Sequence, residues 1–177
     1  MADITLFGEL RCHKTRFYRD ALDARHLEYE IAEVDKDPEA ARRLTELAGS
    51  ADKFPTFQIR GRKLRNPTLP KLDRTLAHAG LYDPGLIHDA QNGRFVRYMA
   101  PSDGFVSYVR RNDTMVLTHI EIPRALRGGD VGRALAAEVL DHLLDTPFSI
   151  RISCPYLHRV ASSRAEWRSR FDIGART

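Results

Sequence analysis

Long apolar runs are missing from this chain: no stretch of its 177 residues approaches the roughly 20 consecutive apolar positions of a membrane-spanning helix, so a helical membrane protein is excluded. Cysteine is scarce as well. Cys12 and Cys154 stand far apart and outside any metal-ligand spacing, which argues against a cysteine-based metal site or a disulfide scaffold and reads both as thiols. No charged-then-apolar leader precedes Ile4, and a cytoplasmic location is expected. Lysine disappears after Lys71, and every basic residue from Arg94 to Arg176 is arginine, a shift consistent with two modules. The net charge of +4 lacks a single-sign patch, since the basic residues lie beside acids along the whole chain, so a nucleic-acid partner is not expected. What is present, 42% hydrophobic and 29% charged residues, describes a globular chain of one ordinary domain or two small ones.

The first module is read over residues 1–82. Ile4-Thr-Leu-Phe7 is a buried strand, Gly8 opens a loop carrying Cys12, and Phe17, Tyr18, Ala21 and Leu22 recur at helical spacing from His13 to Arg25. Tyr29, Ile31 and Val34 mark a second strand. Asp37-Pro38 starts a helix that Gly49 ends. Pro55 to Ile59 and Lys63 to Arg65 are paired short strands, and Leu69 to Ala79 a closing helix. The order β-α-β-α-β-β-α implies a small sheet with helices on both faces.

Cys12-His13-Lys14-Thr15 at the first helix, Phe54-Pro55-Thr56, and the spacing of the elements between them resemble a glutaredoxin, within the thioredoxin-like superfamily. The resemblance implies that Pro55 is cis and stands beside the Cys12 sulfur, and that Phe54, Pro55 and Thr56 bind glutathione or another low-molecular-weight thiol. The residues themselves place Cys12 at a helix N-terminus among Arg11, His13, Lys14 and Arg16, a setting that favours the thiolate of a redox nucleophile. Thr15 holds the resolving position, which leaves monothiol exchange. Arg65-Asn66-Pro67-Thr68 replaces the family's glycine-rich clamp. The competing reading is a folding or docking unit in which Cys12 is idle.

A turn-rich joint over 83–91, with an irregular lead-in from Ile87 to Gly93, precedes a second module over 92–177. Arg94–Met99, Gly104–Val109 and Thr114–Ile122 read as strands of an antiparallel meander. Val131 to Leu144 is a helix, and Pro147 to Ser153 a strand that a crossover helix places parallel to Thr114–Ile122. Trp167 and Phe171 are expected to pack on the domain. The fold class is therefore α/β: a thioredoxin-like β-α-β-α-β-β-α domain followed by a small α+β domain with a mostly antiparallel sheet.

Thr118-His119-Ile120-Glu121-Ile122-Pro123, Arg127-Gly128-Gly129-Asp130-Val131-Gly132, and Cys154-Pro155-Tyr156 resemble the GNAT acetyltransferase superfamily, most closely its minimal bacterial and plant members. The resemblance implies acetyl-CoA between the strands ending at Ile122 and Ser153, with its pyrophosphate on the amides around Arg127, Gly128, Gly129, Val131, Gly132 and Arg133. Backbone N–H groups at a helix start suit phosphate oxygens. The family pattern is Arg-x-x-Gly-x-Gly, and Asp130 takes the place of the first glycine of the final pair; a carboxylate there is expected to cap the helix and repel a pyrophosphate. Glu121 is the first candidate base and His119 the second, since alternation puts both on one face. Cys154 reads either as an acyl acceptor or as a buried space-filler, and Tyr156 as an acid.

Two functions follow as expectations. One is an acetyl-CoA-dependent N-acetyltransferase fused to a monothiol glutaredoxin-like domain. The other is a thiol-disulfide oxidoreductase acting through Cys12, with a non-catalytic GNAT-like domain. No feature of the sequence specifies the amine acceptor, whether protein or small molecule, or an oligomeric state.

Overall fold

A computed structural model describes residues 2–173 and divides the chain into two units, residues 1–83 and 84–177. Among the described residues no helix is long and apolar enough to cross a membrane.

In the first unit, β1 (Ile4–Gly8), α1 (His13–Asp23), β2 (Glu30–Glu33), α2 (Pro38–Ala48), β3 (Thr56–Ile59), β4 (Arg62–Arg65) and α3 (Leu69–His78) follow the expected order. The sheet runs β2-β1-β3-β4, with β1 and β2 parallel and the remaining pairs antiparallel. Strand alternation in β1 feeds two cores. Ile4 and Leu6 join Tyr18 and Leu22 of α1 and Leu72 and Leu76 of α3 on one face, while Phe7 meets Ala40 and Leu44 of α2 on the other. Local chemistry sets the helix ends. The Asp37 carboxylate accepts the Glu39 amide at 2.9 Å, Pro38 sits in the first turn of α2, and Gly49 closes it at φ 86°. The Phe54–Pro55 bond is cis, as the resemblance implied.

The second unit contains β5 (Leu86–Asp89), β6 (Arg94–Arg97), β7 (Gly104–Arg111), β8 (Thr114–Glu121), α4 (Val131–Leu144), β9 (Ser149–Ile152), α5 (Pro155–Ala161) and α6 (Ala165–Arg170). Its sheet runs β5-β6-β7-β8-β9, antiparallel throughout except for the parallel β8–β9 pair. The joint expected over 83–91 is in part structured: Leu86–Asp89 pairs with Arg94–Arg97, and a single 3₁₀ turn over Ala90–Asn92 connects them. Asp89 builds that turn by accepting the Asn92 amide and the Arg94 guanidinium. Gly93, at φ 61°, is required there, because a Cβ would come within 2.8 Å of the Tyr108 carbonyl.

Leu135, Ala136, Val139, Leu140 and Leu143 of α4 bury one stripe against Phe95, Val106, Met115 and Leu117 of the sheet. Trp167 and Phe171 pack into the same core, as expected, at 1% and 4% exposure. The indole N–H donates to Asp141 at 2.9 Å, and the Arg164 guanidinium lies over the ring at 4.2 Å. Trp167→Ala is expected to destabilise the chain by about 3–5 kcal/mol, as buried aromatic truncations do, measured by urea unfolding. A loss under about 1 kcal/mol would show that α6 is not part of this core.

Candidate active site

β8 and β9 are hydrogen-bonded only as far as Leu117↔Ile152. There the Leu117 carbonyl accepts the amides of Ser153 (3.0 Å) and Cys154 (3.2 Å) and the Ser153 hydroxyl (3.1 Å), and the chain turns into α5. β8 continues alone to Glu121. The strands part, and the opening is a cleft of about 710 Å³ lined by His119 to Ile122, Leu126 to Gly129, Gly132, Cys154 to Tyr156, and Arg159. α4 points its N-terminus at this opening, with Gly132 packed 3.1 Å from the Tyr156 hydroxyl as measured from an added Cβ.

A register shift between Ser107 and Tyr108 decides which side chains face the cleft. Ser107 pairs with His119 but Tyr108 with Leu117, so Thr118 is an extra residue and β8 bulges. Met115 and Leu117 point into the core before the bulge. After it Ile120 and Ile122 do so, which turns His119 and Glu121 to the opposite face.

The two candidate bases meet. His119 Nε2 lies 3.2 Å from one Glu121 oxygen, and the other accepts from Arg127, whose Nε also donates to the Ile122 carbonyl at 2.9 Å. These bonds, first from His119 and then from Arg127, hold the Glu121 carboxyl below the usual range. It is therefore ionised and a weakened base. An ionised carboxylate only accepts, so the His119 nitrogen facing it, Nε2, is the donor.

Of the expected cofactor contacts, Ile122, Arg127, Gly128, Gly129 and Gly132 line the cleft, whereas Val131 and Arg133 do not. Arg127 is turned back onto Glu121. Asp130 departs from its expected role: at φ −79° and ψ −4° its backbone is already helical, and its side chain makes no capping bond and does not line the cleft. Arg159, which the sequence reading passed over, lines the cleft and lies over the Tyr156 ring at 5.5 Å. Its spacing of three residues from Tyr156 on a short helix was the available signal. Cys154 is 5% exposed and caps α5 at the cleft wall.

In the first unit Cys12 is the N-cap of α1 and half-exposed. Its thiol is shifted down chiefly by the Thr15 amide, with smaller help from the Lys14 amide and the Thr15 hydroxyl, against burial and Glu9. The basic side chains expected to do this are not the cause; Arg11 pairs with Glu9 at 2.6 Å instead. Thr15 is fully buried against Gly8, and its Oγ1 has no hydrogen-bond partner. Beside α1's first turn, Lys14, Phe54, Pro55, Arg65 and Asn66 line a groove of about 290 Å³. Thr56 is buried and bonds the Lys53 carbonyl at 2.6 Å, which fixes the loop that presents Pro55.

Residues 94–170 match the family model described as GCN5-related N-acetyl-transferase. No curated protein matches the chain. Among solved structures, the chain is similar to a mutant of the thioredoxin-like protein BC3987, at 26% identity over 43% of this chain and 96% of that one, TM-score 0.40. It is similar to the glutaredoxin of Archaeoglobus fulgidus at 18% identity over 41% and 84%, TM-score 0.37. A mutated buckwheat glutaredoxin matches at 15% identity over 36% and 60%, TM-score 0.32.

Two outcomes are expected. With its thiol shifted down and half-exposed, Cys12 begins to react with iodoacetamide at lower pH than a free cysteine and is labelled before buried Cys154, read by peptide mapping; labelling of Cys154 first would contradict the assigned environments. An added Cβ at Gly8 would overlap Thr15 Oγ1 and stand 2.6 Å from its Cγ2. Gly8→Ala should therefore cost about 1–3 kcal/mol, most of it recovered in the Gly8→Ala/Thr15→Ala pair. Additive losses would mean the two sites do not press on each other.

Proposed function

We propose that this chain, a thioredoxin-like domain followed by a GNAT-like acetyltransferase domain, transfers an acetyl group from acetyl-CoA to an amine. The observation that carries the reading is the cleft opened by the parting of β8 and β9 at the start of α4, with the His119–Glu121 pair on its wall. The residues present fit the group. Past Leu117 the edge of β8 has no β9 partner, which leaves backbone amides and carbonyls for a pantetheine arm. No atom lies within 4 Å of an added Cβ at Gly128 or Gly129, so the turn before α4 is open to phosphate oxygens.

Within that cleft His119 is the general base, taking the amine proton on Nδ1. Glu121 holds the imidazole in this tautomer and Arg127 holds Glu121, so Arg127 positions the pair and does not bind phosphate. Arg159 supplies the cation. The Tyr156 hydroxyl, on the cleft wall beside Gly132, is placed to return a proton to a departing thiolate. Cys154, buried at the same wall, offers a second route as a transient acyl acceptor.

The first unit supports a separate activity. Cys12, with its lowered thiol pKa at the N-cap of α1, is suited to thiol-disulfide exchange, and Thr15 in the resolving position restricts it to a monothiol course.

Isothermal titration tests the main reading: the wild type is expected to bind acetyl-CoA, and Arg159→Ala to weaken it about tenfold, more at low salt than at high. Absence of binding in both the wild type and Asp130→Gly would sink the proposal. With any amine the wild type acetylates from a panel of polyamines, arylamines and lysine peptides, His119→Ala should lower kcat by about 100-fold or more while leaving acetyl-CoA binding intact. Glu121→Gln should cost less and shift the acid limb of the pH-rate profile.

A further inference from the structure

The groove beside Cys12 has a composition that selects among thiols. Lys14 projects from the first turn of α1 and Arg65 from the end of β4, with Phe54, Pro55 and Asn66 between them. Neither cation has a carboxylate within ion-pair distance among the described residues, and no acidic side chain lines the groove. Asp52 is near enough to feel Arg65, but its carboxylate is bonded by the Ser50 hydroxyl. A zwitterionic thiol such as glutathione carries an ammonium that needs an acceptor, and this wall offers two cations instead. A thiol carrying phosphates presents only negative charge to them.

Thr15 supplies an independent sign that the sulfur is built to react. Its side chain is wholly buried, its hydroxyl has no partner, and that hydroxyl lies where it favours the Cys12 thiolate. An unpaired buried hydroxyl costs stability unless some state of the molecule satisfies it. In the exchange proposed below, the Cys12 thiolate is that state. Tyr18 donates to the Pro67 carbonyl at 2.6 Å, and the Asn66 amide donates to the Pro55 carbonyl at 3.2 Å, so the chain is braced where Arg65 and Asn66 leave β4.

We propose that Cys12, at the start of α1 where Lys14 and Arg65 line the groove beside the first turn, exchanges with disulfides of a phosphate-bearing low-molecular-weight thiol of the coenzyme A class. This deepens the thiol-exchange reading and does not depend on acetyl transfer by the second unit. The Cys12 thiolate attacks the phosphate-bearing half of a mixed disulfide. The new S–S bond forms as the old one breaks, and the other half leaves as a thiolate that takes a proton from solvent. A second free low-molecular-weight thiol then attacks the outer sulfur and takes over the phosphate-bearing half. Cys12 leaves as thiolate, and no electrons come from elsewhere.

The test treats the full reduced chain with coenzyme A disulfide or glutathione disulfide at equal concentration and pH 7. Adduct formation is followed by intact mass and located by peptide mapping. The proposal expects the coenzyme A adduct on Cys12 to form at least tenfold faster than the glutathione adduct. Lys14→Gln and Arg65→Gln should each slow the coenzyme A arm severalfold and the glutathione arm less, and raising salt should act in the same direction. Thr15→Val, which removes only the hydroxyl, should slow both arms at pH 7 and move the pH-rate midpoint upward, whereas Thr15→Ser should retain the wild-type midpoint. Equal rates in the two arms, or a faster glutathione arm, overturn the ligand class. An adduct on Cys154 alone, or none on Cys12 while iodoacetamide still labels it, overturns the site and leaves the acetyl-transfer reading standing.

Discussion

One carbonyl organises the second unit. Leu117 O accepts three donors from the Ser153–Cys154 corner, which ends the parallel ladder and commits β9 to turn into α5 while β8 runs on. Everything at the cleft depends on that parting. The same corner sets Cys154 and Tyr156 on one wall, and the continuing strand sets His119 and Glu121 on the other. Burial anchors the junction, because Leu117 is fully enclosed by the α4 stripe and cannot shift without opening the core. The site therefore borrows its rigidity from the hydrophobic packing beneath it.

Element types and the topology were legible because the period of the apolar residues changes cleanly, from alternation in Thr114–Ile122 to a helical stripe in Leu135–Leu143. Pairing of His119 with Glu121 was legible too, since residues two apart on a strand share a face whatever the register. Which face they share was not. The bulge at Thr118 reverses inside and outside halfway along β8, and no residue type there announces it, because threonine is at home in a regular strand. β5 was missed for another reason. Leu86-Ile-His-Asp89 has too few alternations to register as a strand, and its pairing with β6 comes from Asp89 building the turn, a long-range effect seen only once the chain is folded.

The charge arrangement shows the same division between residue identity and use. Arginine before a glycine turn reads as a phosphate ligand, yet Arg127 spends its guanidinium on Glu121 and on the Ile122 carbonyl. A free arginine would have left Glu121 a stronger base. Bound as it is, Glu121 loses basicity and holds one His119 ring nitrogen, so the two candidate bases form one hydrogen-bonded pair. With Arg127 so engaged, Arg159 is the other arginine lining the cleft, and its place on α5 follows from the turn at Ser153–Cys154.

Cys12 and Cys154 sit in the same local geometry, each the extended N-cap of a helix at φ −73°, with ψ 125° and 122°. Backbone position alone would therefore assign them the same chemistry. Their surroundings separate them. Cys12 is half-exposed beside a groove with two cations and a buried hydroxyl in want of an acceptor, whereas Cys154 is enclosed by the core and reaches only the cleft wall. The first can meet a disulfide from solution, and the second only what the cleft admits. If both units handle coenzyme A, they do so at opposite ends of its chemistry, one at the thioester and one at the disulfide of the same thiol. A single chain carrying both sites then needs no contact between its units to act on a common molecule.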